Sequence, residues 1–132
     1  MRRALRGGRG QAVVELALAL PLLALLLFGI VDFGLGLSAR IQVTNAVREG
    51  ARLASVKWQE DNIEQQVRQK VAALTENVVN ATLGTATVEF PDGKAPGASV
   101  RVHLDCTYNF FLPGLSGIAN LSCSSTMTMR LE

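Results

Sequence analysis

The first forty residues and the last fifty carry different hydrophobic periods, and the change of period sets out the chain. From Leu16 to Val31 no formally charged residue occurs and Leu and Ala dominate. As a helix this stretch is about 24 Å long, slightly short of a hydrocarbon core of about 30 Å. Extended from Val13 to Leu37 it is long enough, and Asp32 then falls near its far end, where a carboxylate costs much less than at the bilayer centre. Residues 37–55, LSARIQVTNAVREGARLAS, continue as helix without a breaker. Arg40, Thr44, Arg48 and Arg52 form one polar stripe at spacing four. Val43, Val47, Ala51 and Ala54 form a second, with Gly50 beside it; such small residues admit a close neighbour, either the chain's own body or another subunit.

A second helix is expected over about 62–82. Asp61 and Glu64 suit a capping-box-like start, Ile63, Val67, Val71, Leu74 and Val78 form its buried stripe, and Gly84 suits its stop. The period then drops from 3.6 to 2. Ala86, Val88 and Phe90 alternate with polar residues, and Pro91-Asp92-Gly93 opens a turn and loop reaching Gly97. Val100, Val102, Leu104, Cys106 and Tyr108 form the next alternating set; Leu121, Cys123, Ser125, Met127, Met129 and Leu131 form the last. The expectation is a three-stranded antiparallel sheet whose apolar face is covered by the two helices. The fold class is therefore α+β: a long transmembrane helix continuing into an amphipathic helix, a second helix, and a small sheet of about three strands.

The charge balance adds direction. The formal charge is +2, from 13 basic and 11 acidic residues, but Arg2, Arg3, Arg6 and Arg9 all precede Gly10. The basic excess belongs to this leader and is no nucleic-acid footprint. Four arginines before the apolar run place the N-terminus in the cytoplasm and the C-terminal body outside. In that oxidising location the two cysteines, Cys106 and Cys123, on the apolar faces of consecutive strands, suggest one disulfide, with two reduced core thiols as the alternative. The bridge would support a body whose core is marginal at roughly ninety residues.

Catalytic chemistry finds little support. His103 is the only histidine, and on its strand it shares a face with Asp105, with no serine or cysteine placed beside it as a nucleophile. No phosphate loop, paired-carboxylate site or recognised metal spacing occurs, so no cofactor, metal site, small-molecule substrate or enzymatic activity is expected. An ordinary export signal also fits poorly. Ala17-Leu18-Ala19 lies within the apolar run, and Leu37-Ser38-Ala39 places a bulky residue in a small-residue slot. An uncleaved signal-anchor is the plainest reading of such a segment.

Residues 9–34, RGQAVVELALALPLLALLLFGIVDFG, with NAVREGAR at 45–52 and MTMRLE at 127–132, resemble the TadE-like minor pilins, or pseudopilins, of tight-adherence (Tad, type IV-related) pilus systems. The resemblance is strong over residues 9–55 and thin over 56–126. It implies cutting between Gly10 and Gln11 by a prepilin peptidase on the cytoplasmic side. The domains are then a leader (1–10), a transmembrane and assembly helix (11–37) and an extracytoplasmic pilin-like body (38–132). Glu15 becomes the fifth mature residue, placed for charge pairing with the new amino terminus of a neighbouring subunit. Pro21 becomes a kink that eases bundle curvature. Leu16 stands where major pilins of this system usually have tyrosine, which favours the minor class. The implied partners are the prepilin peptidase, other pilin and pseudopilin subunits, and the inner-membrane assembly platform. The implied location is the bacterial inner membrane, single-pass, and after assembly the pilus. The reading is then a non-enzymatic component of pilus assembly and surface adhesion. Its rivals are a signal-anchored binding module that never enters a filament and, more remotely, an exported enzyme.

Overall fold

The computed structural model describes residues 7–112 and 120–132. Among the described residues, two helices precede six short strands. α1 runs unbroken over Gly7–Lys57 and contains Pro21, and α2 spans Ile63–Thr75. The strands are β1 (Ala81–Leu83), β2 (Thr87–Glu89), β3 (Ser99–Leu104), β4 (Cys106–Tyr108), β5 (Leu121–Ser122) and β6 (Ser125–Arg130). The architecture is α+β, with a long apolar N-terminal helix, a second helix and small antiparallel sheets.

The upper half of α1 is the spine of the core. Asp32, Gly36, Ala39, Val43, Ala46, Val47, Gly50, Ala51, Ala54 and Ser55 are buried, a stripe recurring every three to four residues that keeps one helix face turned inward. The small-residue stripe is thus packed against the chain's own body. Gly50 shows why it is small: a Cβ there would lie 2.7 Å from Val71 Cγ2 and 3.2 Å from Val67 Cγ1. The α1–α2 crossing therefore requires a missing side chain at this position.

Both ends of α2 differ from the expectation. Asn62 is its N-cap and makes no side-chain capping bond, so Asp61 and Glu64 form no capping box. The Asn62 carboxamide instead accepts from Gln66 Nε2 at 2.9 Å. The helix stops at Thr75 rather than near residue 82. Its buried face is Ile63, Val67, Val71 and Thr75, while Leu74 is 42% exposed and Val78 partly buried. Thr75 occupies the inward position because its hydroxyl donates to the Val71 carbonyl at 2.9 Å, satisfying itself within the helix. Past the helix, Asn80 takes a left-handed conformation (φ 55°) and turns the chain into β1, which pairs with β4. The pairing accounts for Ala81–Leu83 as strand: main-chain bonding to a sheet edge outweighs continuation of a helix whose next residues include β-branched Val78 and Val79. Gly84 ends no helix; its N–H donates to the Asp105 carbonyl at 2.9 Å.

The single expected sheet is two: β2-β3-β6 and β1-β4-β5. Each of the two longer expected strands divides between them. β3 and β4 are separated by Asp105 alone, and β5 and β6 by Cys123 and Ser124. The alternation continues across the first break, since Val100, Val102, Leu104, Cys106 and Tyr108 are all buried. Ser124 fills the main-chain gap at the second: its hydroxyl accepts from Cys106 N–H at 3.0 Å and lies 3.3 Å from the Cys106 carbonyl, to which it can donate. Here Cys106 and Cys123 are joined as a disulfide with a Cα–Cα distance of 4.8 Å, within the range the bond requires. The far end of the body closes on α1, where Trp58 Nε1 donates to the Glu132 carbonyl at 2.8 Å and Glu132 N–H to the Ser55 carbonyl at 3.1 Å.

Candidate functional site: the apolar helix and its junction with the body

The lower half of α1 projects from the body with its side chains uncovered. Its most apolar window contains no buried residue, and the helix is long and apolar enough to cross a membrane. Leu25, Leu26, Leu27 and Phe28 occupy four successive positions, more than a full turn, and all are exposed. Exposure on every side distinguishes a helix made for an apolar surrounding from a core helix with one greasy stripe. Gly10, Gln11 and Glu15 all lie on this projecting part and all are exposed. A Cβ on Gly10 would meet nothing within 4 Å. Five residues of helix, about 7.5 Å, separate Gly10 from Glu15. Pro21 lies about one and two-thirds turns beyond Glu15. No described residue is packed against any of them closely enough to bury it.

The junction with the body begins at Asp32. This carboxylate, near the far end of the apolar run, is only 3% exposed, and three donors from the distant strand β4 and the segment after it surround it. Tyr108 Oη donates to Oδ1 at 2.8 Å, and the Phe111 and Leu112 N–H groups donate to Oδ2 at 2.9 and 3.2 Å. A carboxylate removed from water without partners is very costly, and these bonds are what make the burial tolerable. Burial, with the Asp32 carboxylate beside it, pushes the Tyr108 phenol up to about 12. Tyr108 and Leu121 also press on Gly36, where a Cβ would lie 2.9 Å from Leu121 Cδ2 and 3.1 Å from Tyr108 Cδ1. The body therefore holds α1 from Asp32 onward. Sequence reasoning placed Asp32 at a membrane interface and missed this clasp; the available signal was a tyrosine continuing the apolar alternation of a strand, which needs a partner for its hydroxyl.

Residues 10–52 match the family model described as TadE-like protein. Over this segment the chain is TadE-like. The match spans the projecting helix from Gly10, the Asp32 junction and the stripe through Gly50, and it supports a protein of the tight-adherence pilus system. No curated protein and no solved structure matches the chain. The body beyond the TadE-like segment rests on its own geometry.

One constellation in that body has the connectivity of a catalytic relay. His103 Nε2 lies 3.1 Å from Asp105 Oδ1 and His103 Nδ1 lies 2.7 Å from Thr126 Oγ1. His103 and Thr126 are register partners across β3 and β6, so the arrangement follows from strand pairing. The Asp105 side chain is 77% exposed, and the trio sits on an open sheet face rather than in a cleft that would desolvate a reacting group. The exposed arginines of α1 are also without ion-pair partners among the described residues: Arg40, Arg48 and Arg52 run up the outer face, each in solvent.

Proposed function

We propose that this chain is a minor pilin, a pseudopilin of the tight-adherence pilus system, stored in the inner membrane and drawn into pilus assembly and surface adhesion. The observation that carries the reading is the TadE-like match beginning at Gly10, on a helix whose apolar surface is exposed all round. Cutting between Gly10 and Gln11 by a prepilin peptidase removes the basic leader and leaves an amino terminus about 6 Å along the helix from Glu15. In a bundle of such helices Glu15 of one subunit neutralises that amine on a neighbour, where a lone buried carboxylate would be costly. Pro21 relieves the helix where it curves into the bundle. The body acts without catalysis, as a packing and contact surface, with other pilins, pseudopilins and the assembly platform as partners.

The test is mass spectrometry of the membrane form produced with and without the peptidase. A mature N-terminus at Gln11 is expected only with the peptidase, and Gly10→Glu is expected to leave the precursor uncut. An N-terminus independent of the peptidase would return the chain to the signal-anchored binding module.

A further inference from the structure

Phe111 is an apolar side chain in an unusual place. It is 75% exposed, more than any other large apolar residue outside α1 among the described residues. A single exposed phenylalanine is ordinary on a protein surface. This one is held against the membrane helix by its own main chain, because its N–H and that of Leu112 donate to Asp32. Its height is therefore fixed by the clasp, and the length of the helix says where that is. Ala12 to Val31, immediately below Asp32, is about 20 residues and about 30 Å, one hydrocarbon thickness. Asp32 then stands at the hydrocarbon edge on the body's side, and Phe111 with it.

The surroundings have the same character. Phe111 and Leu112 border a cleft of about 100 Å³ lined otherwise by Phe28, Val31, Asp32, Leu35 and Asn80. Phe28, Val31 and Leu35 are exposed residues of α1, so the apolar surface of the helix continues onto the body without a break. No charged residue occurs from Tyr108 to Leu112. On α1 the next charged residue above Asp32 is Arg40, about 12 Å farther up the axis. Phe110 does not share the exposure: it is partly buried and packs edge-on against Tyr108 with ring centroids 5.5 Å apart. One aromatic of the pair anchors the segment in the body and the other is left outward.

We propose that Phe111 inserts into the lipid leaflet on the body's side and seats the body on the membrane surface before assembly, so that the chain meets the bilayer through its helix and through this second point. The apolar surface that runs all round the helix immediately below this level, at Leu25 to Phe28, favours lipid as the occupant over a second copy, which would cover only one side. The proposal rests on the membrane-anchor reading above.

The full-length chain is reconstituted at low protein-to-lipid ratio in phosphatidylethanolamine–phosphatidylglycerol vesicles containing brominated acyl chains. Trp58 is the only tryptophan, so Trp58→Phe supplies a silent background for Phe111→Trp and, as a depth control, Leu23→Trp. The expected result is loss of most of the Phe111→Trp emission with bromines near the headgroup, and of the Leu23→Trp emission with bromines deep in the chain. Quenching at Leu23→Trp without any at Phe111→Trp overturns the proposal and leaves the anchor standing; absence of quenching at both positions removes the anchor and the proposal together. A Phe111→Trp emission that escapes the bromines at low protein-to-lipid ratio and shifts to the blue only on raising that ratio assigns the surface to a second copy and also overturns the proposal. Where the tryptophan variant does not fold, benzoylphenylalanine in place of Phe111 reads the same contact: a lipid crosslink supports the proposal and a protein crosslink or none overturns it.

Discussion

The Asp32 carboxylate and the Tyr108 hydroxyl, 76 residues apart in the chain, meet at 2.8 Å where the projecting helix enters the body. One is a charge in an otherwise apolar run and the other a phenol on the buried face of a strand. Each supplies what the other needs to be buried, and together they join the TadE-like segment to the sheet that follows it. Tyr108→Phe is expected to cost about 2 kcal/mol, the scale of a hydrogen bond to a charged group. Combined with Asp32→Ala it should show a coupling of about 1–3 kcal/mol in a double-mutant cycle by denaturant unfolding in detergent.

The same pair sets an alkaline limit. Tyr108 is the only tyrosine, so tyrosinate absorbance follows it without interference. Its phenol is raised from 10.0 to about 12, hence the folded state holds a proton that the unfolded state has released in this interval. The stability it contributes is whole below about pH 10 and is lost as pH rises through about 12, a loss of a few kcal/mol. A titration midpoint near the ordinary tyrosine value in the folded chain would contradict the buried phenol.

Gly50 tests the helix crossing. Alanine or valine there improves the local helix by removing the flexibility of glycine, a gain of less than about 1 kcal/mol. The added Cβ meets Val71 Cγ2 at 2.7 Å, however, and the branched side chain has nowhere to go. Gly50→Val is therefore expected to destabilise the body by about 2 kcal/mol net, read as a lowered midpoint of chemical unfolding. Unchanged stability would mean that α2 moves aside freely.

The disulfide spans a separation of 17 residues, for which loop closure predicts about 3 kcal/mol. The oxidised chain is expected to gain the mass of two hydrogens on reduction. The paired Cys106→Ser and Cys123→Ser variant should unfold at lower denaturant concentration. An oxidised chain with two alkylatable thiols would remove the bridge.

Glu15 lies exposed on the projecting helix, away from the body, so Glu15→Ala is expected to leave the fold, membrane insertion and maturation intact. Piliation, counted by electron microscopy, is expected to fall to a small fraction. Normal piliation would end the charge-pairing account of this residue.

Hydrophobic pattern alone determined the long apolar helix, the second helix, the later strands and the inward alternation from Val100 to Tyr108. Those features depend on spacing along the chain, and spacing is written in the residues. The stripe around Gly50 was legible for the same reason, but whether its neighbour was α2 or another subunit was decided only by the packing. The end of α2, the strand at Ala81–Leu83 and the division into two sheets depended on main-chain pairing between segments distant in sequence, where a break at Asp105 and at Cys123–Ser124 leaves the hydrophobic pattern unchanged. Asp32 is the sharpest case. A carboxylate in an apolar run reads as an interfacial charge, because the phenol and two amides that surround it come from a segment more than seventy residues away. Burial of an acid is determined by the donors that reach it, and only the tertiary structure brings them there.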